Sequence, residues 1–141
     1  MLHNAYLNFE DQTEEAFTFY AKALGGELQQ LTRFGDMPYP GMTDEDAKRI
    51  MHVRLPLGGG QFLMGSDMHE GFGKKLVVGN NVYVALHPET VEEGKRIFGA
   101  LSDGGAVEAP FAPAPWGDHW GAFRDRFGVL WMINVAGAGE A

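Results

Sequence analysis

The chain has 141 residues, 45% hydrophobic and 12% aromatic, which suits one domain with a buried core and excludes disorder. Its 19 acidic residues outnumber 11 basic ones, giving a formal charge of −8, so it has little with which to neutralise nucleic-acid phosphates. There is no cysteine, hence no disulfide, thiol nucleophile or thiolate metal site, and no apolar run approaches a membrane span.

Asn4 to Phe9 alternates. Ala5, Leu7 and Phe9 make an apolar face, and Asn4, Tyr6 and Asn8 a polar one, which predicts a half-polar strand. Glu10 and Asp11 follow before any signal-peptide pattern develops, so a cytoplasmic protein is expected. A helix follows, capped by Thr13 or Asp11, with Ala16, Phe17, Tyr20, Ala23 and Leu24 facing inward and Gly25-Gly26 ending it. Glu27 to Phe34 reads as a strand, and Gly35 to Thr43 as a loop that is either a lid or a plain connection. Thr43 should cap a short helical turn reaching Lys48. Ile50 to Leu57 is a strand with Met51, Val53 and Leu55 on one face and His52 and Arg54 on the other. Gly58 to Gly60 turns it into a strand from Gln61 to Ser66.

Residues 68–79 read as a linker, with His69 at the surface. Asn81 to His87 is a strand, and Pro88 to Leu101 a helix facing inward with Val91, Gly94, Ile97, Phe98 and Leu101. After Gly104-Gly105, Ala106 to Phe111 is a strand, and Ala112 to Gly117 a Pro-rich loop. Asp118 to Arg124 and Val129 to Val135 form a closing hairpin, with its turn at Asp125 to Gly128. On the last strand Val129, Trp131, Ile133 and Val135 share one face, and Leu130, Met132 and Asn134 the other. Such apolar mass on both faces predicts that both are covered, one by helix and one over a pocket. Ala136 to Ala141 is a small polar tail expected to fray.

The halves overlay. Glu14-Glu15 falls 78 positions before Glu92-Glu93, and Gly25-Gly26 falls 79 before Gly104-Gly105. Gly60 to Ser66 matches Gly128 to Asn134. Each half reads strand, helix, strand, strand, strand. The expected fold is α+β: a single domain over 1–141, built of two paired βαβββ modules (about 1–67 and 80–136) with curved mixed sheets around a cavity.

Several stretches resemble one family in order along nearly the whole chain. They are Tyr6-Leu-Asn-Phe9, Glu14-Glu-Ala-Phe-Thr-Phe-Tyr20, Leu24-Gly-Gly-Glu27, Gly35-Asp-Met-Pro38, Ile50-Met-His-Val53, Leu63-Met-Gly-Ser-Asp67 and Phe123-Arg-Asp-Arg-Phe-Gly-Val-Leu-Trp131. The chain thereby resembles the vicinal oxygen chelate superfamily of glyoxalase I, bleomycin-resistance proteins, fosfomycin-resistance enzymes and extradiol dioxygenases. Within it the chain is similar to the PhnB-like group, often labelled demethylubiquinone methyltransferase-like. Methyltransferase activity is not expected, because no Gly-rich loop follows the first strand to hold a nucleotide-like cofactor. The superfamily's enzymes hold a divalent metal through His, Gln or Glu on the first and fourth strands of each half. The resemblance places Asn4, Met64, Asn81 and Met132 there. A neutral thioether is no substitute for a carboxylate on a hard or borderline ion, so neither metal nor other cofactor is expected.

The expected site is a pocket wall of Tyr6, Asn8, His52, Arg54, Met64, Asn81, Tyr83, Trp120, Leu130 and Met132, apolar and aromatic with a few amides and one cation. The first functional expectation is a metal-independent protein that binds a small apolar or aromatic molecule and assembles as a homodimer. The second is a lyase, transferase or dioxygenase-type enzyme whose metal uses other ligands, His52 with Asp67 or His119. The third is a partner-binding module whose exposed aromatics are an interface; Trp116 and Trp120 could cap a ligand or as easily fill the core or a dimer seam. His52 and Asp67 are also a thinkable acid–base pair, but nothing in the spacing joins them.

Overall fold

The computed structural model describes residues 1–69, 71 and 75–137, which divide into two compact units, Met1–Val77 and Val78–Ala141. Parts of the expected linker and tail, at 70, 72–74 and 138–141, lie outside the described residues.

In the first unit the order is β1 (Ala5–Phe9), α1 (Thr13–Leu24), β2 (Gln29–Arg33), a 3-10 turn (Phe34–Asp36), α2 (Asp44–Lys48), β3 (Ile50–Gly58) and β4 (Gln61–Asp67). The sheet order is β1-β4-β3-β2, with β1 parallel to β4 and the other pairs antiparallel. The second unit repeats this with β5 (Val84–Leu86), α3 (Val91–Ser102), β6 (Ala106–Pro113), β7 (His119–Arg124) and β8 (Leu130–Val135), in the order β5-β8-β7-β6. The chain is therefore α+β with two four-stranded mixed sheets.

Alternation decides which face of the first sheet meets α1. Phe9, Val53, Leu55 and Leu63 are buried with Ala16, Phe17, Tyr20 and Ala23 of the helix. The Phe9 and Phe17 rings meet edge to face at 6.3 Å, and Phe17 meets Tyr20 at 5.6 Å. The helix closes as the sequence predicts: Gly25 takes φ 81°, and its N–H and that of Gly26 donate to the Ala21 carbonyl. In the second unit α3 packs on β6, β7 and β8, burying Ile97, Leu101, Phe123, Trp131, Ile133 and Val135.

The α1 N-terminus departs from expectation. Neither Asp11 nor Thr13 caps it, and Gln12 at the cap position makes no side-chain bond. The Thr13 N–H and hydroxyl donate instead to Asp67 Oδ1, at 3.1 and 2.7 Å. Thr43 and Thr90 do cap their helices, accepting from the Asp46 and Glu93 N–H groups.

Three strand boundaries also differ. β5 begins at Val84, not Asn81, leaving the Asn-rich 80–81 stretch as a bend. β2 stops before Phe34, which opens the 3-10 turn. β6 continues through Pro110 to Pro113 because register shifts between Val107 and Ala109, and between Ala109 and Ala112, accommodate residues that have no N–H to donate. The loop after β2 is tied down, with the Tyr39 hydroxyl donating to Asp46 at 3.3 Å. His69 is not at the surface: it is 7% exposed, edge-on to Phe34 at 4.9 Å, with Nδ1 accepting from the Gly71 N–H. No helix among the described residues is long and apolar enough to cross a membrane.

Candidate functional site

The face of the first sheet that α1 does not cover carries five of the expected residues. Tyr6 on β1 pairs in register with Met64 on β4, and Met64 with Arg54 on β3, so the three cross the sheet in one row. One step along, Asn8 pairs with Ser66, whose hydroxyl donates to Asn8 Oδ1 at 3.2 Å. His52 shares this face. The Tyr6 hydroxyl lies 3.1 Å from His52 Nδ1, and the two rings stack with centroids 5.8 Å apart.

Arg54 is held by neutral groups. Its Nε donates to Gln29 Oε1 at 3.1 Å, and its guanidinium carbon lies 4.3 Å over the Phe62 ring. Gln29, Thr32, Phe62 and Ser66 do not stand out in the sequence. Alternation along Gln61–Asp67 contains the signal for Phe62 and Ser66. Gln29 and Thr32 depend on an irregularity no pattern reveals. β2 advances three positions, from Gln29 to Thr32, where β3 advances two, from Arg54 to His52, and Gln30 takes φ 54° inside that bulge.

Asp67 is not on this face. Its carboxylate points to α1, where it takes both Thr13 bonds and, through Oδ2, the Ile50 N–H at 2.8 Å. The structure does not bring His52 and Asp67 together as an acid–base or metal-ligating pair.

In the second unit Met132 pairs with Ala85 on β5 and Ala122 on β7, and Trp120 pairs with Asn134. Leu130 is 4% exposed, and Met132 is half-buried. Trp120 meets Trp116 edge-on at 5.8 Å, and His119 lies 5.9 Å from the Phe111 ring. Asn81 is exposed in the bend before β5. Tyr83 also precedes β5, and its hydroxyl donates to Glu108 Oε1 at 2.6 Å, which pushes the phenol above its ordinary value.

Strand pairing also tests the metal expected of the superfamily. The first-strand residues beside Met64 and Met132 are Tyr6 and Ala85, not Asn4 and Asn81. Asn4 is used otherwise, its Oδ1 accepting from the Phe62 N–H at 2.8 Å. The other register neighbours are Arg54 and Ala122. Neither Met64, flanked by a phenol and a cation, nor Met132, flanked by two alanines, has register neighbours suited to holding a divalent ion. Among the described residues no three His, Asp or Glu side chains gather to hold one.

A family model for 3-demethylubiquinone-9 3-methyltransferase matches residues 3–134. Protein YjdN of Escherichia coli K12 is 31% identical over 140 residues, covering 92% of both chains. The crystal structure of protein PA1353 from Pseudomonas aeruginosa is 36% identical, covers 97% of this chain and 98% of its own, and superposes with a TM-score of 0.83. A putative 3-demethylubiquinone-9 3-methyltransferase, PhnB protein, from Bacillus cereus is 24% identical over 96% and 100% of the two chains, with a TM-score of 0.75. The two-sheet architecture is shared with a glyoxylase/bleomycin resistance protein/dioxygenase domain from Frankia sp. EAN1pec, at 18% identity over 99% and 94% of the chains and a TM-score of 0.68. The chain belongs to the family that carries the name 3-demethylubiquinone-9 3-methyltransferase, the PhnB-like group with the glyoxalase/bleomycin-resistance fold.

Proposed function

We propose that this protein binds a small, apolar or aromatic molecule without a metal. The observation that carries the reading is the Tyr6–Met64–Arg54 row, an aromatic ring, a thioether and a cation crossing one sheet face with His52 and Asn8 beside it. Met64 offers an adaptable, polarizable surface and Tyr6 a ring to stack on. The donor chemistry beside Met64 and Met132 supports metal independence. Methyl transfer from a nucleotide-like donor is not part of this reading, since β1 enters α1 through Glu10-Asp11-Gln12, a stretch without glycine.

In this reading the whole chain is one cytoplasmic domain that works as a homodimer, and Met132, Leu130, Trp120, Tyr83 and Asn81 are the candidate ligand contacts of the second unit. Exposed Val107 and Trp116 give that unit apolar surface suited to pairing, which sedimentation velocity tests. The decisive experiment is elemental analysis of protein purified without chelator, with thermal shift against Zn²⁺, Ni²⁺, Mn²⁺ and Mg²⁺. A metal that binds only the native state raises its melting temperature. No bound metal and no shift are expected. About one metal per chain with a clear shift overturns the reading.

A further inference from the structure

Four arginines of the chain, Arg33, Arg49, Arg96 and Arg126, pair with carboxylates. Among the described residues Arg54 does not, nor does Arg124, which donates to the Gly128 and Gly79 carbonyls, in a chain with 19 acidic residues. Its two fixed contacts, Gln29 at Nε and the Phe62 ring beneath, are both uncharged. They hold the guanidinium plane and occupy its side edge, while both terminal nitrogens lack a partner among the described residues. The remaining edge is a two-pronged donor, the geometry that carboxylates accept bidentately.

What surrounds that edge defines the rest of the ligand. Met64 is the next residue across the sheet and Tyr6 the one after, so the row from Arg54 to Tyr6 covers two strand spacings, about 10 Å. That is roughly the length of a bicyclic aromatic acid. The stacked Tyr6 and His52 rings stand beside it as an aromatic wall. The Tyr6 hydroxyl and His52 Nδ1 share a hydrogen bond, and His52 Nε2 has no hydrogen-bond partner among the described residues. Among the described residues of this face Arg54 is the one arginine or lysine, so it neutralises a monoanion and not a dianion.

We propose that the open face of the first sheet takes an aryl monocarboxylate, its carboxylate on the free edge of Arg54 and its ring over Met64 against Tyr6 and His52. This rests on the small-molecule reading above and adds the charge and shape of the ligand.

The probes are 2-naphthoate and 2-naphthamide, which share a ring system and differ in charge. Binding to the full chain is followed by NMR titration, which measures weak affinities and locates them. Wild-type protein should bind the acid about tenfold more tightly than the amide, a difference of the size a charge-assisted bidentate pair supplies. Arg54→Gln should bring the acid down to the level of the amide, and Arg54→Lys should recover part of the preference. The largest shifts should fall on Tyr6, Met64 and Arg54. Equal binding of acid and amide, weakened alike by Met64→Ala, overturns the carboxylate site and leaves the binding reading standing. Absence of binding by both probes, or shifts confined to other residues, overturns both. Because Arg54 is half-buried and its two contacts, Gln29 and Phe62, lie outside the buried core, its variants should melt close to wild-type protein, and the melt is the control.

Discussion

Thr13 and Asp67 stand 54 residues apart and are joined twice, the Thr13 N–H and hydroxyl both donating to one buried carboxylate oxygen. The other oxygen takes the Ile50 N–H. One side chain at the end of β4 therefore fixes the start of α1 and the start of β3. Replacing it with alanine strands three buried donors, and Asp67→Ala should cost about 3 kcal/mol. Asp67→Asn keeps an acceptor for some of them and should cost less. Urea unfolding measures both, and an unchanged midpoint in the alanine variant would remove Asp67 as the staple.

Asp125 does the same for the closing hairpin at shorter range. Its Oδ1 accepts from the Phe127 and Val129 N–H groups, and its Oδ2 from the Trp131 indole at 2.8 Å. Trp131 is wholly buried, so its ring has no water to replace this bond. Trp131→Phe keeps an aromatic ring but removes the donor, and should destabilise by about 2 kcal/mol. Val107→Phe, a change at an exposed position, should do much less. Equal losses in the two variants would show that ring shape, not the indole bond, decides.

These two staples mark the limit of what the chain shows in one dimension. Short-range signals were legible: Thr43 caps its helix, and Gly25 and Gly128 take the positive φ their turns require. So was the face shared by Tyr6, Asn8, His52, Arg54 and Met64, because alternation is a local property. The duplication made the repeated strand–helix–strand–strand–strand succession legible, since matching halves must fold alike. The Thr13–Asp67 contact was not, because helical and strand periodicities carry no information between residues 54 apart. His69 misled for the same reason. It sits in a Gly- and Lys-rich stretch, yet it is buried by Phe34, a residue 35 positions earlier. The strand expected from Asn81 to His87 was misjudged because β5 is only three residues long and starts at Val84.

Tyr83 supplies a pH dependence. Its hydrogen bond to Glu108 holds the proton on the phenol, with burial and the Glu108 charge acting in the same direction. A group whose folded value is raised adds stability that is fully present below its unfolded value, about 10, and lost as pH climbs through the folded one. Tyrosinate absorbance should therefore show Tyr83 ionising above the ordinary tyrosine range. Glu108→Gln should bring it back down and flatten the alkaline loss of stability. A titration identical in the two proteins would contradict the assignment.

Gly65 shows how closely α1 is pressed onto its sheet. A Cβ there would sit 2.5 Å from Phe17 Cε1 and 2.9 Å from the Leu7 carbonyl oxygen. The residue lies on the helix side of β4, paired with Val53 and Leu7, so the backbone itself is the packing surface. Its φ is not in the left-handed region, and the objection to a side chain is purely steric. Gly65→Ala should therefore destabilise by about 2 kcal/mol, the usual range for overpacking a filled core. Because the ring is one of the two obstacles, combining it with Phe17→Leu should recover part of the loss although Phe17→Leu alone is harmful. Non-additivity of this sign is the signature of a shared contact. If the two losses simply add, the Leu7 carbonyl is the barrier, and α1 is held off the sheet by backbone and not by its ring.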